Sequence, residues 1–175
     1  MKVYYSPGAC SAGIHFLLEE VSAEYEAVPI PGKEGRQFSP EYVKVNPKSK
    51  VPVLERPDGS ILTEFGAIAR WIGATLGDGA LKPENLEEEV RIIETLDFVV
   101  GTIHMHGFSR ILKPSKYARS EADHDWVREE GRAIVTNGFD VLSDRLGDQP
   151  VILGDKMTIA DAAMFYTLFW GIDRL

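Results

Sequence analysis

The ten residues LGDGALKPEN, 76–85, divide the chain into two halves that cannot share one architecture. Their glycines and proline end one helix and begin another, and the residue patterns on either side differ. On the N-terminal side, residues 3–5 read as a short strand, and residues 12–21 place Ile14, Leu17, Leu18 and Val21 on one helical face. A second strand is expected at 27–30. Ser39-Pro40 is an N-cap and first-turn pair for a short helix, and residues 51–54 return to β character. The turn PDG, 57–59, folds that strand back onto 60–62, and 64–76 is helical up to Gly77. The order β-α-β-α-β-β-α makes residues 1–77 an α/β domain.

Beyond a linker at 78–86, residues 87–175 read as an all-α helical bundle. Residues 86–108 and 121–146 are long periodic segments, Gly147 closes the second, and a third helix begins at Thr158. There TIAD, 158–161, fits a capping box, which makes Asp161 a helix-start residue rather than a catalytic carboxylate. No internal repeat or low-complexity segment interrupts either half. With 44% hydrophobic residues, 175 residues suffice for one full core or two small layers.

Charge narrows the function. Residues 1–77 carry eight Lys/Arg against nine Asp/Glu, and residues 78–175 carry eleven against eighteen. An acidic second half argues against a nucleic-acid surface. The longest nearly apolar run, AAMFYTLFWGI at 162–172, is far short of the roughly 20 residues that cross a bilayer, so no membrane partner is expected. No basic segment leading into an apolar run opens the sequence, and the expectation is a cytoplasmic protein whose cysteine stays reduced.

That cysteine, Cys10, is the only one in the chain and lies in SPGACS, 6–11. A thiol at a helix N-terminus meets unpaired amides and the positive end of the helix dipole, which favours the thiolate and lowers the pKa to about 3.5–7.5. The bland alternative is a buried apolar cysteine. Pro7 and Gly8 place it instead in a loop at a strand end, where sites concentrate. With no C-x-x-C, any disulfide partner must come from outside. Cys10 and the four histidines, His15, His104, His106 and His124, show no zinc spacing, and no metal is expected.

SPGACS followed by His15 and Glu19-Glu20, VNPKSKVPVL (45–54), LTEFGAI (62–68) and MTIADA (157–162) stand in order along nearly the whole chain. Together they resemble a bacterial beta-class glutathione transferase. The resemblance implies a thioredoxin-like first domain that binds glutathione, a cis-proline at Pro52, and a Val51 backbone that pairs with the cysteinyl part of the peptide. Glu64 and Phe65 match the turn that receives the γ-glutamyl end at a helix start. Lys33 stands where the family sets a lysine against the glycyl carboxylate, with Arg36 near enough to substitute. Cys10 matches the residue facing the glutathione sulfur, and Ser11 would hydrogen-bond in the same place.

In the second half, LDFVVGTIH (96–104) resembles the stretch ending in a histidine that points at the thiol. His104 is therefore the second catalytic candidate, with His106 behind it because two residues on it points to a different side of a helix, although an apparent one-residue insertion near Gly107 leaves the register there open. Asp97 falls where relatives carry an asparagine that reaches glutathione across a homodimer. His106, Phe108, Ile111 and Tyr117 are candidates for the acceptor-substrate groove. Against the family pattern, the chain stops part-way through the buried helix and the final helices are missing.

The expected function is a detoxifying glutathione transferase that joins the glutathione thiol to small hydrophobic electrophiles. Two alternatives stand beside it: glutathione-dependent thiol-disulfide exchange through a Cys10 mixed disulfide, and a scaffold that keeps the fold without catalysis.

Overall fold

The computed structural model describes residues 1–175, which form two compact units, Met1–Pro83 and Glu84–Leu175. Their division falls inside the Gly- and Pro-rich segment that separates the two sequence patterns.

In the first unit, β1 (Lys2–Tyr5) runs parallel to β2 (Glu26–Pro29), joined by α1 (Ser11–Glu20), as a parallel pair requires a crossover. After α2 (Pro40–Val45) the chain enters β3 (Val53–Glu55) and β4 (Ile61–Thr63), antiparallel to β1 and to each other. The spatial order is β2-β1-β3-β4, and α3 (Phe65–Thr75) follows the last strand. Val3, Ile14, Leu17, Leu18, Leu54, Ile68 and Ile72 are wholly buried and make the core. This is the thioredoxin-like arrangement, with each element displaced by only a residue or two from its expected bounds.

The caps at Ser39 and Thr158 were visible in the sequence; that at Asn85 was not singled out there. Ser39 Oγ accepts from the Tyr42 amide at 3.3 Å, with Pro40 in the first turn of α2. In the second unit, α4 (Leu86–Asp97) starts at Asn85, whose Oδ1 accepts from the Glu88 amide, and three glutamates in its first turn complement the helix dipole. Thr158 and Asp161 close both halves of the capping box that opens α7 (Ile159–Arg174).

The long helix expected over 86–108 departs from expectation. After α4 the chain is π-helical over Phe98–Phe108 before the short α5 (Ser109–Leu112), and the Ser109 amide bonds back five residues to the His104 carbonyl. A π-helical turn holds one residue more than an α-turn, so the helix runs on through this segment in a wider register without breaking. Against this segment lies α6 (His124–Leu146), preceded by a single 3-10 turn at Glu121–Asp123. A Cβ at Gly131 would sit 2.8 Å from the Gly107 carbonyl oxygen, and one at Gly138 would sit 2.6 Å from Ile103. Glycine is what permits this approach. No helix is long and apolar enough to cross a membrane.

Candidate functional site

The first unit gathers its chemistry around the end of β1. Cys10 is the N-cap residue of α1, and its Sγ lies 3.8 Å from the carbonyl oxygen of Val51, on the residue that precedes the cis bond to Pro52. The residue is only half-buried, yet its sulfur is shielded, and burial pushes the thiol up to about 12. The amides of Cys10 and Ser11 and the charge of Lys50 act in the opposite direction, and burial prevails over all three. The expected thiolate is thereby corrected: helix position alone lowers a thiol pKa only where the sulfur stays hydrated. At neutral pH Cys10 is a thiol that donates to Val51.

Ser11 is also reassigned. It is fully buried, its Oγ donates to the Ser6 carbonyl at 3.2 Å and accepts from the Ser6 amide at 3.3 Å. Both capacities close the SPGACS loop, so Ser11 holds the loop in shape rather than facing a ligand.

The Val51 segment is anchored from behind by residues that the sequence did not single out. Tyr42 Oη donates to the Lys50 carbonyl at 2.6 Å, and Asn46 Nδ2 donates to the same oxygen at 2.8 Å. Asn46 is almost completely buried and also accepts from the Lys48 amide through Oδ1 at 3.1 Å. An Asn-Pro pair reads as a turn; nothing local to it announces a distant carbonyl partner.

Glu64 caps α3 with φ 71° and ψ 130°, a left-handed backbone region that costs a residue with a Cβ about 1–3 kcal/mol. Lys48 Nζ meets its carboxylate at 2.7 Å and the Thr63 hydroxyl at 2.9 Å. Strain of this kind concentrates where a backbone group must be aimed at a ligand. Phe65, next in sequence, is buried, so only its main chain is placed to act. Lys33 is exposed on the 3-10 turn Gly32–Glu34.

In the second unit, His104 sits in the π-helical segment with Nδ1 3.1 Å from the hydroxyl of Tyr166, and its ring meets Tyr166 and Trp170 edge-on. Tyr166 is fully buried and was concealed from sequence reasoning inside an apolar stretch. His106 and Asp97 are exposed. Tyr117 is partly exposed, donates to the Met105 carbonyl or the Ser109 hydroxyl, and carries the Arg110 guanidinium over its ring. Phe108 has no exposed surface and packs against Trp170 and Phe139, and Ile111 is buried beside it. These two are core residues, so the groove expectation is corrected to His106 and Tyr117 as the members that present surface.

Comparison with known proteins places these features in context. The model of the glutathione S-transferase N-terminal domain matches residues 8–75, and that of the C-terminal domain matches residues 125–170. Glutathione S-transferase GstA of Escherichia coli O157:H7 is 31% identical over 173 residues, covering 98% of this chain and 82% of that protein. The plant elongation factor 1-gamma chains are also similar, for example at 29% identity over 161 residues in Oryza sativa, but this chain spans only 37% of that protein's length. The structure of a glutathione transferase homologue from Sulfitobacter with bound glutathione superposes with a TM-score of 0.90 at 25% identity, covering 99% of this chain and 83% of that one. A bacterial beta-class glutathione S-transferase from Sphingomonas chungbukensis gives 0.84 at 30% identity, covering 99% and 84%.

Proposed function

The chain belongs to the glutathione S-transferase family, and from that membership we propose that it binds glutathione on its first unit and transfers the peptide's sulfur to a small apolar electrophile. The observation that carries this reading is the conjunction, at one end of the sheet, of the Val51 carbonyl beside cis Pro52, the amides of the α1 start, and the strained Glu64 turn opening α3. Val51 offers main-chain pairing to the cysteinyl residue of glutathione. The Glu64–Phe65 turn takes the γ-glutamyl carboxylate, and Lys33 takes the glycyl carboxylate.

In the reaction, the glutathione thiol loses its proton to solvent, its sulfur forms a bond to the electrophilic carbon, and the leaving group departs with the bonding electron pair. The protein's part is to favour the anion and hold it in place. Lys50 and the α1 amides favour a sulfur anion, and the neutral Cys10 thiol, turned from the Val51 carbonyl once the peptide pairs there, adds a donor. On the second unit, the family resemblance makes His104, held by Tyr166, the candidate proton-carrying group and the exposed His106 and Tyr117 the candidate acceptor-binding residues. A cytoplasmic homodimer, with Asp97 reaching glutathione on the partner subunit, completes the reading.

Calorimetric titration with glutathione and with S-methylglutathione tests it, together with conjugation assays on aryl halide electrophiles. Binding of both peptides and turnover of an aryl halide are the expected results. A folded protein that binds neither peptide overturns the proposal.

A further inference from the structure

The face of the sheet turned away from α1 carries a cavity of about 360 Å³ within the first unit. Side-chain alternation along β1 decides what reaches it: Val3 is wholly buried and Tyr5 meets the ring of His15 on α1, so Tyr4 points to the opposite face. The volume lies within the range of about 300–1,000 Å³ typical of small-molecule sites.

Tyr4 and Tyr42 form an aromatic wall, their rings 5.9 Å apart and tilted by 53°. Both phenol protons are already committed, Tyr4 to Glu55 at 2.9 Å and Tyr42 to the Lys50 carbonyl at 2.6 Å. Burial pushes both phenols up to about 12, so the wall stays neutral. Ile30 and Val45 add apolar lining.

The remaining lining residues are Arg36, Ser39 and Glu41. Arg36 and Glu41 are exposed, and neither side chain finds an opposite charge within the chain. Ser39 Oγ accepts from the Tyr42 amide, which leaves its hydroxyl proton to donate. A guanidinium and a hydroxyl donor complement a carboxylate, and a glutamate complements an ammonium. The apolar residues that line the same cavity suit a hydrocarbon or aromatic body.

We propose that this cavity, on the sheet face opposite α1 and not lined by Cys10, Val51 or Glu64, is a second ligand site for a free α-amino acid with an apolar side chain. Its carboxylate meets Arg36 and Ser39, its ammonium meets Glu41, and its side chain lies against Tyr4, Tyr42 and Val45.

Methyl NMR of Ile30 and Val45 under titration with L-phenylalanine tests the site, with phenethylamine, which lacks the carboxylate, and 3-phenylpropionate, which lacks the ammonium, run alongside. Saturable shifts at both methyls are expected at millimolar phenylalanine or below, with each analogue about tenfold weaker. Arg36→Gln should weaken phenylalanine about tenfold while leaving phenethylamine unchanged, and Glu41→Gln should spare 3-phenylpropionate in the same way. Phenylalanine binding should persist under saturating S-methylglutathione. Absence of shifts at Ile30 and Val45, equal affinity for the three compounds, indifference to both substitutions, or displacement by S-methylglutathione would each overturn the assignment.

Discussion

The sulfur of Cys10 lies 3.8 Å from the carbonyl oxygen of Val51, which makes the thiol a donor to the main chain of the segment proposed to pair with glutathione. Burial raises this thiol to about 12 against the pull of two amides and Lys50. In the proposed reaction the group that reacts is then the thiol of the peptide, with Cys10 contributing a dipole and a shape.

Replacement of Cys10 by alanine should therefore leave conjugation of an aryl halide within about threefold in kcat/KM, a loss of less than about 1 kcal/mol of transition-state stabilisation. In the unmodified protein, alkylation of Cys10 by iodoacetamide should keep rising with pH through 9 without reaching a plateau, because the thiolate fraction is still small there. A plateau near neutrality would show a thiolate.

Asn46→Ala removes two hydrogen bonds at a nearly fully buried position, to the Lys50 carbonyl and from the Lys48 amide. The expected cost is about 1–3 kcal/mol, because the Lys48 amide loses its partner. Urea denaturation reads it directly as a lowered midpoint with an unchanged slope. Glutathione affinity should fall as well, since the substitution also loosens the residue before Val51.

The pH dependence of stability should carry a signature of His15. Its Nδ1 lies 2.9 Å from the hydroxyl of Tyr25, which donates to Glu19 at 2.7 Å, while Nε2 is buried without a partner. Burial lowers the His15 pKa below 6.5, opposed by the charge of Glu19. A depressed histidine means that the unfolded chain binds more protons than the native one. Its contribution is intact above about 6.5 and is lost as pH falls from there through the folded value. Urea midpoints at pH 7.5 and 5.5 should differ less in His15→Phe than in the unmodified protein; an equal difference in the two would remove His15 as the source.

Gly131→Ala should destabilise the second unit despite alanine's better helix propensity. The added methyl would meet the Gly107 carbonyl oxygen at 2.8 Å and Arg110 Cβ and Ile111 Cγ1 at 2.9 Å. Overpacking of this kind costs about 1–3 kcal/mol, against a propensity gain of about 1 kcal/mol. Thermal unfolding should show a lower midpoint, whereas Gly101→Ala, where the added methyl meets nothing within 4 Å, should not.

What the sequence determined by itself was whatever depends on a few neighbouring residues. Strand alternation, the Ser39, Thr158 and Asp161 caps and the turn at Asp58-Gly59 are local, and each was found within a residue or two of its expected place. The four short motifs carried the family for the same reason. The features that emerged only on packing depend on solvent exclusion and on partners far along the chain. The same helix-start position that favours a thiolate in water holds a neutral thiol once the sulfur is shielded. Ser11 turned inward to its own loop, Phe108 disappeared into the core, and Tyr166 came to His104 across 62 positions of sequence. Local geometry is written in neighbouring residues, but the dielectric around a group and the identity of its distant partner exist only after the chain has packed.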